Sequence, residues 1–186
     1  MLIGLSGKKR SGKSSATEYL VNKYNFKSVS WAYALKQIVG KQLLGLTDVE
    51  METDIKENIN LFWGRSPRHL LQIIGTDCFR DRVHPDFWVK VCERDILKPL
   101  IAAGENIVLS DCRFPNEAGC IRGNGGTMVR ITRMGYHPAS VDMHPSETAL
   151  DKYDFDFQIG AADGNLQELY EKLDRMLVNI PRNERW

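Results

Sequence analysis

Apolar positions recur along this chain in two rhythms. Short runs give a strand reading at Met1–Leu5, Phe26–Trp31, Asn106–Asp111, Thr127–Thr132 and Phe155–Ile159. Between them the spacing becomes helical. Ala16, Tyr19, Leu20 and Tyr24 share one face, as do Leu35, Ile38, Val39 and Leu43 within a predicted helix over 32–44. Ser66-Pro67 is a helix start, with a capping hydroxyl and then a proline where no N–H is needed. The helix it opens runs to about Arg80, with Leu70, Leu71, Ile73 and Ile74 on its apolar side. Another opens at Asp86, carries Trp88, Val89, Cys92 and Ile96, and meets Pro99 near its end. Pro115 to Asn124 reads as a short helix stopped by Gly125-Gly126. The last helix starts at Asn165, with Asn165 and Glu168 placed to cap it and Leu166, Leu169, Tyr170, Leu173, Met176 and Leu177 turned inward. Residues 45–63 keep no period and are expected to form a mobile excursion; residues 133–146 read as a loop. Strands alternating with helices predict an α/β fold with a mostly parallel five-stranded sheet flanked by helices.

The turn after the first strand narrows the picture. Gly7-Lys8-Lys9-Arg10-Ser11-Gly12-Lys13-Ser14 has the G-x-x-x-x-G-K-S spacing of a phosphate loop, between a strand and a helix as that motif requires. Gly7 and Gly12 allow a tight turn and a close approach to phosphate. Successive N–H groups then form an anion nest, reinforced by the positive end of the following helix. Lys13 supplies a point charge for β- and γ-phosphates, and the Ser14 hydroxyl suits magnesium. Lys8, Arg10, Ser11 and Ser15 complete the candidate nucleotide cradle.

Other candidates follow from position. Ligands of such sheets bind beyond the carboxyl ends of the strands. Asp111, closing the run Ile107-Val108-Leu109, is placed there to order magnesium or orient an acceptor. Arg113 can hold a transferred phosphate bidentately, and Glu117 can fix that arginine or contact the acceptor; a surface ion pair would look the same. Arg68, Gln72, Thr76 and Arg80 recur every four residues and form one polar stripe, near Trp88 in sequence. Such a set could take a nucleotide acceptor by phosphate, base edge and base face, or be a solvated helix face beside a core tryptophan. Arg82 is a weaker candidate. The loop bearing Arg133, His137 and His144 could be a lid, with no catalysis assigned to the histidines. The Gly160–Gly164 loop could pack against the base of ATP.

Composition removes some alternatives. The 186 residues carry 25 basic and 24 acidic side chains, a net charge of +1 that offers no ground for a nucleic-acid partner. No apolar run approaches the ~18 residues of a membrane span, and no apolar segment follows the basic N-terminal loop as in a signal peptide. A cytoplasmic protein is expected. Cys78, Cys92, Cys112 and Cys120 have no metal-ligand spacing and are expected to be buried, reduced thiols. A mass of 21.2 kDa allows a monomer or a homodimer.

These residues together resemble one known family, the bacteriophage-type deoxynucleoside monophosphate kinases. The resemblance runs through GKKRSGKS at 7–14, Ala34-Leu35-Lys36, RHLLQIIGTDCFRDRVHPDFWV at 68–89, SDCRFPNEA at 110–118, GGTMVRITR at 125–133, HPSE at 144–147 and DFQI at 156–159. The G-T-D-x-x-R…W-V and D-x-R-F-P-N-E blocks are its specific parts. It implies a single phosphate-loop kinase domain over 1–186, with an acceptor-binding helical excursion over about 32–100 and a lid over about 133–147. The implied reaction moves the γ-phosphate of ATP, with Mg2+, to a deoxynucleoside monophosphate in the cytoplasm, the host's if a phage encodes the chain. Lys13 and Ser14 would hold ATP and magnesium. Arg68, Arg80, Trp88, Asp111, Arg113 and Glu117 would surround the acceptor and the transferred group, and Arg133 would be the lid arginine. Gly160-Ala161-Ala162 departs from the family pattern by lacking an asparagine after the DFxI strand. The rival readings are a kinase for another small acceptor such as dephospho-coenzyme A, and a phosphate-loop switch or binding module. The nearest string to a guanine-binding signature, Asn22-Lys23-Tyr24-Asn25, ends in Asn and lies on the first helix.

Overall fold

The computed structural model describes residues 1–135 and 145–180. These divide into two compact units, one of Met1–Ser30 with Leu97 onward, the other of Trp31–Ile96.

The first unit is built on a five-stranded sheet in the order β2-β3-β1-β4-β5. The strands are β1 (Leu2–Ser6), β2 (Lys27–Val29), β3 (Ile107–Leu109), β4 (Thr127–Met134) and β5 (Phe157–Ala162). Every pairing is parallel. β1 lies at the centre and is buried throughout, so its apolar run has no polar alternation. α1 (Lys13–Tyr24) follows the phosphate loop and the Leu166–Asn179 helix closes the unit. Ile3, Leu5, Ala16, Leu20, Val129, Ile131, Ile159, Leu169 and Leu173 form one core between them, each large aliphatic side chain contributing about 1.5–3 kcal/mol on burial. Asn165 caps the last helix by accepting from the Glu168 N–H at 3.1 Å. Its Leu166, expected inside, is 47% exposed. β5 begins at Phe157 rather than Phe155 and extends to Ala162.

The second unit is helical. Leu35–Leu43 and Ile73–Arg80 are wound as π-helix, with Leu44 N–H donating to the Val39 carbonyl at 2.9 Å and Asp81 N–H to that of Thr76 at 2.9 Å. This winding changes which side chains point inward. Val39 and Leu44 are buried, whereas Ile38 and Leu43, expected in the apolar face, are 47% and 64% exposed. The Pro67–Gln72 helix does start at Ser66, whose hydroxyl accepts from His69 N–H at 3.3 Å. Residues 45–63 are not irregular throughout. Thr47 and Glu50 form a capping box on Asp48–Glu52, a 3-10 turn spans Asp54–Glu57, and Asn60 bridges to Arg65. Asp86 occupies the N-cap position of Phe87–Cys92, but its side chain makes no capping hydrogen bond. None of the four cysteines is in a disulfide; Cys92 and Cys112 are buried, Cys120 is half-buried, and Cys78, against expectation, is exposed.

Candidate active site

The turn between β1 and α1 takes backbone conformations that most residues avoid. Gly7 has φ 156°, Arg10 64° and Gly12 100°. A Cβ on Gly7 would stand 2.4 Å from the Ile131 carbonyl oxygen and 2.5 Å from Ser11 Oγ, so only glycine fits. Ser11 Oγ is buried and has no hydrogen-bond partner. Leaving such a hydroxyl unpaired costs about 1–3 kcal/mol. A loop that keeps one is shaped for an oxygen-bearing ligand.

Lys13 is folded back on this loop. Its ammonium donates to the Gly7 carbonyl at 2.6 Å and to the Lys8 carbonyl at 2.8 Å. Burial lowers its pKa to about 8; Glu147 opposes that fall, Arg113 and Arg130 add to it, and Asp111 opposes it. Ser14 is exposed and Ser15 half-buried on the first turn of α1.

β3 pairs with β1 in the register Gly4↔Leu109, which brings the chain leaving β3 out beside the phosphate loop. Asp111 lies there, its Oδ2 accepting from Ser30 Oγ at 2.7 Å. Ser30 is held in place because β2 pairs with β3 at Val29↔Leu109. Two residues on, the backbone turns into the Pro115–Gly123 helix. One Glu117 oxygen, Oε2, accepts the backbone N–H groups of both Arg113 (2.6 Å) and Phe114 (3.0 Å). Burial raises the Glu117 pKa to about 7, and those two amides oppose the rise. Its carboxylate therefore fixes the turn that carries Arg113.

The far side of β1 contributes residues that sequence reading did not single out. Arg130 pairs with Ser6 across β1 and β4, and its guanidinium donates to Asp151 at 2.9 Å. Asp151 also accepts from Lys8 at 2.7 Å. The Glu147 carboxylate accepts the Lys9 backbone N–H at 2.9 Å and lies 3.5 Å from Arg113 Nη1. Arg130 was legible in principle, as a charge inside the apolar run Thr127–Thr132. Glu147 closes the HPSE string of the family resemblance without a role assigned to it there, and Asp151 carried no local signal.

A cavity of about 430 Å³ opens beside the loop. Its walls come from Arg10 to Ser15, from Thr132 and Arg133, and from Ala161 to Leu169. The Gly160–Gly164 segment, expected as a loop, is instead the end of β5 through Ala162 followed by a turn, and it lies against the phosphate loop. Ala162 N–H donates to Glu168 at 2.9 Å, and Lys172 to the Gly160 carbonyl at 2.6 Å, which hold it there. Arg133 donates to Asp163 at 2.5 Å. His137 and His144, with most of the expected lid, lie outside the described residues.

The remaining candidates belong to the second unit. Arg68 forms an ion pair with Glu57 at 2.9 Å, Gln72 is exposed and Arg80 half-buried. Trp88 donates its indole N–H to the Gly75 carbonyl at 2.8 Å and meets Phe79 and Phe87 edge-on. Its polar end is engaged within the unit and its ring is half-buried.

A family model described as deoxynucleotide monophosphate kinase matches residues 39–173. A protein of Acanthamoeba polyphaga mimivirus, provisionally named a deoxynucleotide monophosphate kinase, is 37% identical over 163 residues, covering 81% of this chain and 82% of that one. The deoxynucleotide monophosphate kinase of Enterobacteria phage T4 is 30% identical over 138 residues, covering 74% of this chain and 55% of that one. Among solved structures, a dephospho-CoA kinase from Campylobacter jejuni aligns over 96% of both chains with a TM-score of 0.54 at 15% identity, a likeness of fold alone.

Proposed function

The chain belongs to the deoxynucleotide monophosphate kinase family, and from that premise we propose that it transfers the γ-phosphate of ATP to a deoxynucleoside monophosphate, giving the diphosphate and ADP. The observation that carries the reading is the family match over 39–173 on a chain whose central strand ends in a formed phosphate loop.

The residues present fit the nucleotide. The buried, unpaired Ser11 hydroxyl suits a phosphate oxygen, and the missing Gly7 side chain lets the loop close this tightly around it. Lys13, with Gly7, Lys8, Arg10, Ser11, Gly12, Ser14 and Ser15, is proposed to hold the donor phosphates, and the cavity bordered by Arg133 and the end of β5 to take the nucleoside. Ser14 and Asp111 offer hard oxygen donors of the kind magnesium prefers. Bound magnesium would supply charge neutralisation between donor phosphates.

The acceptor phosphate is already an anion at neutral pH, so the reaction needs no strong general base. Catalysis rests on positioning and on cancelling the repulsion of two phosphates. Lys13 and Arg113 are proposed to stabilise the transferred group, as charge-assisted donors pre-set by their backbone. Glu117 holds the Arg113–Phe114 turn in place. Arg68, Gln72, Arg80 and Trp88 are proposed as acceptor contacts. For Arg68 this requires exchanging Glu57 for a phosphate, a stronger partner for guanidinium.

The test is incubation with ATP and each nucleoside and deoxynucleoside monophosphate in turn, products resolved by charge. A deoxynucleoside diphosphate is expected with at least one acceptor. Absence of diphosphate with every acceptor would refute the reading.

A further inference from the structure

The phosphate loop already holds an anion, and that anion belongs to the chain. Glu147 sits with its side chain 12% exposed. One carboxylate oxygen accepts the Lys9 backbone N–H at 2.9 Å, and the other lies 3.5 Å from the Arg113 guanidinium. Its backbone carbonyl accepts from Lys8 Nζ at 2.5 Å. Four residues later, Asp151 ties down Lys8 at 2.6 Å and Arg130 at 2.9 Å. The short segment from Glu147 to Asp151 is thus pinned over the loop at both ends.

The chemistry of these donors explains why a carboxylate is there. Burial is what chiefly depresses the Lys13 ammonium; Glu147 acts in the opposite sense, and the nearby Arg113 and Arg130 add to the depression. A cationic nest with no anion would repel itself and hold its amides unpaired. A carboxylate makes the same demand as a phosphate oxygen, to accept from an N–H and from a guanidinium.

We infer that Glu147 is an internal stand-in for a nucleotide phosphate, occupying the Lys9 N–H and Arg113 until a phosphate displaces it, and thereby sets a threshold that only a whole nucleotide passes. The inference rests on the kinase reading above. The exchange is one anion for another, so the cationic cluster is compensated on both sides of it. A bare inorganic polyphosphate brings only charge and must compete with an intramolecular carboxylate of high effective concentration. A nucleotide brings the same charge and also fills the 430 Å³ cavity, which gives it a second source of binding that Glu147 does not oppose. Glu147 accordingly acts by competition rather than by contact with the nucleoside: it weakens both ligands alike and leaves only the one with a second source of binding above the working affinity.

The experiment is calorimetric titration of magnesium-free ATP and of inorganic tripolyphosphate into the wild-type chain, Glu147→Gln and Glu147→Asp, with Lys13→Ala as control. Glutamine keeps a neutral acceptor for the Lys9 N–H but removes the charge. Aspartate keeps the charge and withdraws it by one methylene, and it serves if the glutamine variant fails to fold. Tripolyphosphate is expected to bind Glu147→Gln about tenfold more tightly than wild type, the difference between a charged and a neutral hydrogen-bonded competitor. Glu147→Asp should shift in the same direction by a smaller factor. The melting temperature of the free Glu147→Gln variant should fall while its ATP complex gains, a pairing of effects that a merely structural residue would not give. Tripolyphosphate affinity unchanged or weakened in both variants, with ATP binding intact and sensitive to Lys13→Ala, would overturn the role of Glu147 and leave the kinase reading standing. ATP bound by neither wild type nor variants would overturn both.

Discussion

Ser30 donates a 2.7 Å hydrogen bond to Asp111, joining the residues that follow two adjacent parallel strands. The bond turns one carboxylate oxygen towards β2 and so sets how the other is presented. Ser30→Ala should leave the fold intact, since the hydroxyl lies beyond the last paired residue of β2. A lost hydrogen bond to a charged group is worth about 1.5–3 kcal/mol, so phosphoryl transfer should fall about tenfold or more. The magnesium concentration for half-maximal rate should rise with it. Steady-state kinetics at graded magnesium checks this; an unchanged magnesium requirement would show that Asp111 does not depend on Ser30.

Lys13 gives a stability prediction of definite sign. Its folded pKa, near 8, lies below the ordinary lysine value of 10.5, chiefly through burial. Between those values the unfolded chain binds the extra proton, so stability should rise with pH across that window and carry the full burial penalty below it. Lys13→Met removes the penalty but loses two hydrogen bonds to loop carbonyls. At pH 7 the free variant should be more stable than wild type by roughly 1–2 kcal/mol, with the gap closing at about pH 9 and reversed by about pH 10.5. Denaturant unfolding across pH 6–10.5 measures this. The same variant should lose transfer activity by about three orders of magnitude.

Glu117 behaves in the opposite sense. Its folded pKa of about 7 stands above the ordinary 4.5, because burial disfavours the carboxylate. The folded chain binds the extra proton between those values, so stability should fall as pH rises from about 4.5 to 7, by on the order of 3 kcal/mol. Glu117→Gln keeps one oxygen for the Arg113 and Phe114 amides and should flatten that slope. Glu117→Ala leaves both amides without that oxygen and should cost about 2–3 kcal/mol at about pH 4.5, a cost that shrinks towards pH 7 as the wild type itself loses stability. Transfer should suffer more than ATP affinity, since the turn it holds carries Arg113. Equal losses in the Gln and Ala variants would contradict the positioning role.

Gly7→Ala tests the loop itself. The added methyl would meet a backbone oxygen 2.4 Å away, which cannot swing aside as a side chain could. The variant should lose about 2 kcal/mol or more of stability and its nucleotide binding together. A melting curve with and without ATP reads both. Retention of the ATP-induced rise in melting temperature would show that the loop tolerates a wider turn than this one.

The two rhythms of apolar residues were enough for the sheet, because strands buried on both faces must be apolar without a break, as Ile3 and Val108 are. The phosphate loop was legible for a different reason: its function constrains spacing along the chain, from Gly7 to Lys13. The pairing of Glu147 and Asp151 with the phosphate loop was not legible, although Glu147 ends the HPSE string. Their partners, Lys9 and Lys8, lie 138 and 143 residues away, and pairings at that range leave no local period. The apolar face of Leu35–Leu43 was misread because an ordinary helical period was applied to a π-wound segment, which put Ile38 and Leu43 on the wrong side. The order in residues 45–63 has a local signal of its own that hydrophobic periodicity does not register. Thr47-Asp48-Val49-Glu50 is a capping-box sequence, and it needs no hydrophobic period to start a helix.

The unit Trp31–Ile96 departs from the sheet-bearing unit after Ser30 and returns at Leu97, so it enters and leaves the chain as one uninterrupted insert. Its internal packing, around Val39, Leu44, Leu46 and Met51, is its own. Recombination at those two junctions would exchange the whole insert without cutting any rung of the β-ladder, the phosphate loop or the Asp111–Glu117 turn. If the proposed acceptor contacts Arg68, Gln72, Arg80 and Trp88 hold, a lineage could change the molecule it phosphorylates by swapping this cassette and inherit the phosphate loop unchanged.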